Sequence, residues 1–168
     1  MAARHRSFHL DLARSSASRT LRGVRQNLFV LLVVPHPTAL PRRYLIVEER
    51  DGTFYLPAGR VEEGESLVAA AVRETREEAG ATVVPIAFVG LDHSATSTGP
   101  KIRFVLTARL TVDTPLKSVP DHHGRGARWV TVEDLDNLPL RDGEVRTWIQ
   151  KAESGRALLP IDAYVFLP

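Results

Sequence analysis

The stretch that decides the fold lies at residues 59–81 and reads GRVEEGESLVAAAVRETREEAGA. Ser66 can cap a helix at its start, because a serine hydroxyl accepts a hydrogen bond from a free N–H in the first turn. Gly80 can end the same helix, because glycine readily adopts the left-handed conformation that follows the last turn. The stretch therefore predicts a helix over residues 67–79, preceded by a loop over residues 57–65.

Three glutamates of this predicted helix share one face. Glu74, Glu77 and Glu78 stand at positions i, i+3 and i+4, which are neighbours on the surface of an α-helix. Three carboxylates repel one another unless a cation neutralises them, and Mg²⁺ prefers oxygen ligands of this kind. Arg73 could orient them through bidentate hydrogen bonds. The alternative is a solvated surface helix, in which each Arg–Glu pair adds about 0.2–0.5 kcal/mol.

The sequence on both sides alternates between strands and helices. Residues 27–34 (NLFVLLVV) form a continuous apolar run, which is typical of a buried strand. Asp51 and Gly52 mark a turn between two short strands, so a hairpin is predicted there. The pattern favours an α/β fold in which helices flank a sheet. The other predicted elements are strands at 43–48, 53–56, 82–90, 102–110 and 128–132, a helical turn at 133–135, a helix at 143–152 and an extended tail from Pro160.

Length and composition predict one globular domain over residues 25–168, preceded by a basic, flexible arm over residues 1–24. The chain has 168 residues, of which 43% are hydrophobic and 25% are charged. The absence of cysteine excludes disulfides, thiolate metal sites and a cysteine nucleophile. No apolar run approaches about 18 residues, so the sequence predicts no transmembrane helix, and we expect a cytoplasmic location and no membrane partner.

The arginine-rich arm raises a second class of function. Residues 1–25 carry six arginines against one aspartate, whereas the whole chain has a net charge of +2. Such an arm could bind nucleic acid with an affinity that falls steeply as salt is added. A solvated, loosely ordered terminus is the simpler interpretation, so nucleic acid is not the expected partner.

The spacing of seven residues within the 59–81 stretch carries a family resemblance. Gly59, Glu65, Arg73–Glu74, Glu77–Glu78 and Gly80 resemble the Nudix box, G-x5-E-x7-R-E-U-x-E-E-x-G-U, in which U is a bulky apolar residue. All seven fixed letters match, whereas the two U positions hold Thr75 and Ala81. The resemblance extends over about residues 26–151. It implies an α/β/α sandwich with a mixed β-sheet, and hydrolysis of a nucleoside diphosphate linked to another group.

The resemblance also implies roles for the residues of the box. Glu74, Glu77 and Glu78 would ligate Mg²⁺, or Mn²⁺ in its place. The catalytic set would be Glu65, Arg73, Glu77 and Glu78, with Arg73 orienting the carboxylates and Glu65 assisting through Arg73 or through water. Thr75 and Ala81 stand at packing positions, so their departure from the pattern should have little effect on chemistry.

Three further residues are candidates for substrate binding. Gly59 would bring loop backbone close to the metal and the substrate. Tyr55 stands at a strand end, where its ring could stack on a base or pack in the core. Arg103 begins a later strand and could contact phosphates or lie on a solvated strand face. The substrate is expected to be a small nucleotide.

Segments outside the box indicate which nucleotide is the expected substrate. Residues 55–65, 102–105 and 138–141 resemble the branch that dephosphorylates oxidised guanine nucleoside diphosphates. The alternatives are an ADP-ribose or nucleotide-sugar pyrophosphatase, a nucleoside triphosphate hydrolase, and a non-catalytic nucleotide-binding regulator on the same fold.

The general base and the oligomeric state stay open at this stage. Family members often carry a further carboxylate in a later loop, where this chain has Asp121 as the only nearby acid. His122 and His123 follow Asp121 and could serve as bases or metal ligands, although a solvated surface pair is the simpler interpretation. The chain is expected to be a monomer or a homodimer.

Overall fold

The computed structural model describes residues 27–97, 99–111, 115–155 and 158–167, so the predicted arm at residues 1–24 lies outside the described part of the chain. The α/β fold class is confirmed. The described strands are β1 (Asn27–Val33), β2 (Tyr44–Glu48), β3 (Phe54–Tyr55), β4 (Ala58–Arg60), β5 (Val83–Thr96), β6 (Gly99–Leu110), β7 (Gly126–Val130) and β8 (Leu159–Pro160), and the helices are α1 (Leu67–Ala79) and α2 (Glu144–Ser154), with short 3₁₀ turns at Asp134–Asn137 and Ile161–Ala163.

The strands divide into two sheets. The first has the order β4-β1-β6-β5-β8, and it is mixed because β1 and β6 run parallel while its other neighbours are antiparallel. The second is antiparallel, has the order β3-β2-β7, and contains the predicted hairpin between β2 and β3. In the first sheet β4 is an edge strand, which leaves one side of it free for contacts with α1.

Alternation along β1 separates the two faces of the first sheet. Val30 and Leu32 belong to an apolar cluster with Leu67, Ala70 and Ala71 of α1. The intervening residues of β1 face the other way and join a cluster that contains side chains of α2: Leu31, Val33, Val145, Trp148 and Ile149. Because successive side chains of a strand point to opposite faces, one strand anchors both helices. This arrangement gives the expected helix–sheet–helix layering.

The structure corrects three local predictions. The loop predicted at residues 57–65 contains β4, which pairs with β1 through Phe29↔Arg60, Val30↔Gly59 and Leu31↔Ala58. The strands predicted at 82–90 and 102–110 are longer and form one continuous hairpin of β5 and β6. The tail predicted from Pro160 onward is not simply extended, because β8 pairs with β5 and a 3₁₀ turn follows it.

Within the described part of the chain, neither helix is long and apolar enough to cross a membrane.

Candidate active site

Helix α1 begins and ends at the two residues that the sequence indicates. The Ser66 side chain accepts a hydrogen bond from the Ala69 N–H at 3.1 Å, and Gly80 ends the helix with a φ of 71°. The residues at the two variable positions of the box, Thr75 and Ala81, are fully buried, as expected for packing positions. The apolar side chains of α1, among them Leu67, Ala70 and Ala71, are buried against the first sheet. Their burial fixes the rotation of α1 about its axis.

The guanidinium group of Arg73 holds three of the four predicted carboxylates. It donates to both oxygens of Glu65 at 2.9 and 2.8 Å, and to Glu74 and Glu77 at 2.8 and 3.2 Å. Its Nη2 also donates to the main-chain carbonyl of Arg60 at 2.9 Å, which ties α1 to the edge strand β4. The hydrogen bond from Arg73 lowers the pKa of Glu65, so this carboxylate is ionised near neutral pH.

The fourth carboxylate, Glu78, lies apart from Arg73. Its Oε2 accepts a hydrogen bond from the Ala58 N–H at 2.9 Å, on the free side of β4. The pKa of Glu78 is raised to about 8, chiefly by burial and also by the nearby charge of Glu74, while the Ala58 hydrogen bond opposes both effects. Burial also raises the pKa of Glu74, against the effect of Arg73. The negative charges of these two side chains are therefore poorly compensated.

Gly59, the middle residue of β4, lies directly against the Glu74 carboxylate. A Cβ atom at this position would lie 1.8 Å from Cδ and 1.9 Å from Oε1 of Glu74. A Cβ atom there would force the Glu74 carboxylate to move, so glycine permits the close approach of Glu74 and is not needed for a special backbone conformation. The sequence predicts a close approach of the metal or the substrate at Gly59, and in the structure the group that approaches Gly59 is the Glu74 carboxylate.

The chemistry of this donor set fits a divalent cation. Mg²⁺ prefers carboxylate oxygens, and a cation would compensate the buried charges of Glu74 and Glu78. Among the described residues, however, no three acidic or histidine side chains stand close enough together to form a ready-made metal cluster. The predicted ligands Glu74 and Glu77 contact Arg73, and Glu78 contacts the main chain of β4.

The loop before β7 packs against the C-terminal end of α1. The Lys117 ammonium group donates to the Glu77 carbonyl at 3.0 Å and forms an ion pair with Asp121. This ion pair lowers the pKa of Asp121 to about 2, so Asp121 is a weak proton acceptor near neutral pH. The Asp121 side chain also accepts a hydrogen bond from the His123 N–H at 2.8 Å. Asp121, the candidate for the further carboxylate of the family, thus stabilises the loop in which it lies.

The histidine pair of this loop stands beside the box. Nδ1 of His123 lies 3.8 Å from Oε2 of Glu77, and the rings of His122 and His123 are 3.9 Å apart. From the sequence, a solvated surface pair is the simpler interpretation of these histidines, because no local sequence pattern indicates that their rings lie near Glu77. An open groove of about 950 Å³ runs between α1 and this loop, and its charged and imidazole lining residues are Glu65, Arg73, Arg76, Glu77, Asp121, His122 and His123.

The two side chains predicted to bind substrate meet on the opposite face of the first sheet. Nη1 of Arg103 donates to the Tyr55 hydroxyl at 2.7 Å, and Arg103 also forms ion pairs with Asp92 and Glu144. The Tyr55 hydroxyl donates to Glu144, and burial raises the pKa of Tyr55. The Arg141 guanidinium carbon lies 3.6 Å from the centre of the Tyr55 ring.

The two acidic partners of Arg103 are residues that the sequence does not single out. Asp92 is 11 positions away along the chain and Glu144 is 41 positions away. Burial alone would raise the pKa of Glu144, but the hydrogen bonds from Arg103 and Tyr55 outweigh that effect and lower it. These pairings depend on the β5–β6 hairpin and on the docking of α2, so no local sequence pattern carries a signal for them.

A helix that carries three glutamates, preceded by a fourth at Glu65 and by a glycine in an edge strand, defines a Nudix-type fold and site. A family model described as the NUDIX domain matches residues 30–151. The chain therefore belongs to the Nudix family, as the resemblance of residues 59–81 predicts.

Individual relatives agree with this membership. The 8-oxo-dGDP phosphatase NUDT18 of Mus musculus is 47% identical over 60 residues, which are 36% of this chain and 18% of that protein. A protein of Mycobacterium tuberculosis, provisionally named 8-oxo-dGTP diphosphatase 3, is 31% identical over 145 residues, covering 79% of this chain and 63% of that protein. The chain thus spans less than two thirds of the length of these curated relatives. A NUDIX hydrolase from Nitrosomonas europaea has a TM-score of 0.70 and 25% identity over 85% of this chain and 98% of that chain.

Proposed function

We propose that the chain catalyses metal-dependent hydrolysis of a phosphoanhydride bond in a nucleoside diphosphate derivative. The observation that carries this proposal is the ordered set of carboxylates at the edge of β4. Arg73 holds Glu65, Glu74 and Glu77, while Glu78 is fixed separately on the Ala58 N–H. A diphosphate is rich in negative charge, so a set of carboxylates can bind it only through cations.

Mg²⁺ is the proposed cation, and Mn²⁺ would serve the same purpose. Glu74, Glu77 and Glu78 would hold it, because they share one face of α1 and two of them contact β4, Glu74 at Gly59 and Glu78 at Ala58. When bound, the metal neutralises charge on the phosphates and lowers the pKa of a coordinated water. The raised pKa values of Glu74 and Glu78 support this proposal, since burial disfavours their charged forms and a bound cation would offset that cost.

The other residues of the box position this set. Arg73 fixes the side chains of Glu65 and Glu77 through hydrogen bonds, so the carboxylates need little reorganisation when substrate binds. Gly59 leaves the space that Glu74 occupies. Asp121 is a poor candidate for the general base, because Lys117 holds it ionised with a lowered pKa.

We further propose that the substrate is an oxidised guanine nucleotide. The names of two relatives, an 8-oxo-dGDP phosphatase and an 8-oxo-dGTP diphosphatase, support this class. In this proposal the nucleoside lies near Tyr55 and Arg103, on the face of the first sheet opposite α1. The Arg103–Glu144 ion pair there offers both hydrogen-bond donors and acceptors to a base.

The test is a product-release screen in the presence of Mg²⁺. The substrates would be dGDP, dGTP, their 8-oxo forms, ADP-ribose and a nucleotide sugar, with phosphate, pyrophosphate and nucleoside monophosphate measured separately. We expect turnover of the 8-oxo nucleotides that requires Mg²⁺ and is abolished by the double substitution Glu77→Gln/Glu78→Gln.

The matched control is Glu63→Gln, which changes an exposed glutamate of the adjoining loop and should leave turnover unchanged. Turnover of ADP-ribose or of the nucleotide sugar alone would replace the oxidised-guanine proposal with the pyrophosphatase alternative. Binding of a nucleotide with no turnover of any substrate would overturn the hydrolase proposal in favour of a regulator.

A further inference from the structure

A second charged surface lies on the face of the first sheet opposite α1, and it consists of Phe29, Arg60 and Lys101. We refer to these three residues as the Phe29 shelf. Phe29 is in β1, which lies between β4 and β6, and these two neighbouring strands supply the cations. The Arg60 guanidinium carbon lies 5.1 Å from the centre of the Phe29 ring, and the Lys101 ammonium nitrogen lies 4.7 Å from it.

The two cations of the shelf differ from the neighbouring Arg103 in their partners. Arg103 is neutralised by ion pairs with Asp92 and Glu144. Arg60 donates a hydrogen bond to the side-chain oxygen of Asn27 at 3.2 Å, which is a neutral acceptor. Within the described part of the chain, neither Arg60 nor Lys101 is paired with a carboxylate. The shelf therefore has two positive charges that the surrounding side chains do not balance.

The environment of Lys101 is unfavourable for its charge. Burial lowers the pKa of Lys101, and the positive charges of Arg103 and Arg141 lower it further, while Asp92 and Glu144 act in the opposite direction. The ring of Phe29 compensates part of this cost through its negative face. An anion placed against the Lys101 ammonium group would compensate much more of it, because a charge-assisted hydrogen bond is stronger than a contact with a ring.

The shelf shares strand β4 with the proposed hydrolytic site. Arg60 follows Gly59 in β4, and the Arg60 carbonyl accepts a hydrogen bond from Arg73, which also holds Glu74. The side chain of Arg60 thus extends to one face of the edge strand while its main chain supports the carboxylates on the other side. The shelf and the carboxylates therefore lie on either side of the same edge strand.

We propose that Phe29, Arg60 and Lys101 bind a phosphate group of the substrate that is not part of the anhydride to be hydrolysed. This inference rests on the proposed nucleotide hydrolase function and adds to it a preference for substrates that carry a further phosphate group. The ligand chemistry is a phosphate dianion. It would come either from a phosphomonoester on the ribose or from the terminal phosphate of a triphosphate.

The test compares ligands that differ by one phosphate, with Mg²⁺ present, by isothermal titration calorimetry. Guanosine 5′-monophosphate is compared with guanosine 2′,5′-bisphosphate and 3′,5′-bisphosphate, none of which contains an anhydride. Fully methylene-bridged analogues of GDP and GTP, which resist hydrolysis, form the second arm. We expect the member with the extra phosphate to bind about tenfold more tightly in one arm, and that arm identifies the source of the phosphate.

Variants then connect this preference to the shelf. Lys101→Met and Arg60→Met should each reduce the affinity ratio towards one, whereas Lys101→Arg should retain it. Arg109→Met is the matched control, because Arg109 is an exposed cation at the far end of the same strand β6 and should not change the ratio. Melting curves verify that each variant is folded.

Equal affinities in both arms, or a ratio that survives Lys101→Met and Arg60→Met, would overturn the proposal. This failure is distinct from failure of the hydrolase function. Turnover without a phosphate preference would contradict only the proposed role of the shelf. A preference that depends on Lys101, without any turnover, would support the shelf as a binding site and contradict the hydrolase proposal.

Discussion

At the scale of single residues, the contact between Gly59 and Glu74 gives the sharpest expectation. A Cβ atom at residue 59 would lie 1.8 Å from Cδ of Glu74, so Gly59→Ala must displace either that carboxylate or the strand β4. Misplacement of a catalytic group by about 1 Å can cost about 10²-fold in rate. We predict that Gly59→Ala lowers kcat/KM by about 10²-fold or more while the chain remains folded, measured by steady-state kinetics and circular dichroism.

The control for this substitution is Gly143→Ala. Gly143 has a φ of −66° and nothing within 4 Å of an added Cβ, so its replacement introduces no clash. A Gly59→Ala variant with the activity of Gly143→Ala would show that the position of Glu74 does not matter for turnover.

Glu78 gives a pH dependence of stability. Burial raises the pKa of Glu78 from 4.5 to about 8. Because the folded chain holds this proton more tightly than the unfolded chain, the stabilisation is complete below the unfolded pKa and is lost as pH rises through about 8. In buffer containing EDTA, we predict that Glu78→Gln raises Tm at pH about 8 by roughly 4–8 °C, equivalent to about 2 kcal/mol, and has little effect at pH about 5. Differential scanning fluorimetry measures both.

Glu63→Gln serves as the comparison for this pH profile, because Glu63 is exposed. Its melting temperature should follow that of the parent chain at every pH. If Glu78→Gln also follows the parent chain, the buried carboxylate does not titrate in the range that its environment implies.

At the scale of secondary structure elements, the sequence predicts those elements whose bounds depend on residues close together in the chain. Helix α1 has its bounds confirmed because its cap at Ser66, its end at Gly80 and its apolar flank are all local features. Strand β4 was missed because Ala58, Gly59 and Arg60 have no strand-like alternation and pair only with the distant β1. The outer half of the β5–β6 hairpin was missed because its side chains are mostly exposed and polar on both faces.

The docking of α2 on the first sheet should depend on the ion pair between Arg103 and Glu144. Only 16% and 19% of these two side chains are exposed, so solvent screens their attraction weakly. In a double-mutant cycle with Arg103→Met and Glu144→Gln, we predict a coupling energy of about 1–3 kcal/mol in the free energy of unfolding, measured by urea denaturation.

The pair Arg146–Asp136 is the matched comparison on the same helix. Asp136 is 73% exposed, so a cycle with Arg146→Met and Asp136→Asn should give a coupling energy of about 0–1 kcal/mol. Equal coupling energies for the two pairs would mean that the Arg103 cluster does not hold α2 in place.

At the scale of the whole molecule, the site combines one local and several distant contributions. The box within residues 59–81 is a contiguous stretch, so its spacing alone predicts both the family and the candidate metal ligands. The cluster around Arg103 requires a tyrosine, an aspartate and a glutamate from three other elements, and their pairing follows only from the sheet order and the position of α2. The Phe29 shelf likewise needs three neighbouring strands.

The charge of the whole chain is unevenly divided, and this leads to a prediction for the arm. Residues 1–24 contain five arginines and one aspartate, which contribute +4 to a net charge of +2, so the remainder carries −2. Affinity for a polyanion depends on such clustered cations and falls with salt. We predict that deleting residues 1–24 abolishes retention on a heparin column at low salt but leaves kcat/KM for the nucleotide substrate unchanged within about twofold, because the proposed catalytic residues all lie in the remaining chain. A large loss of kcat/KM on deletion would instead make the arm part of the substrate site.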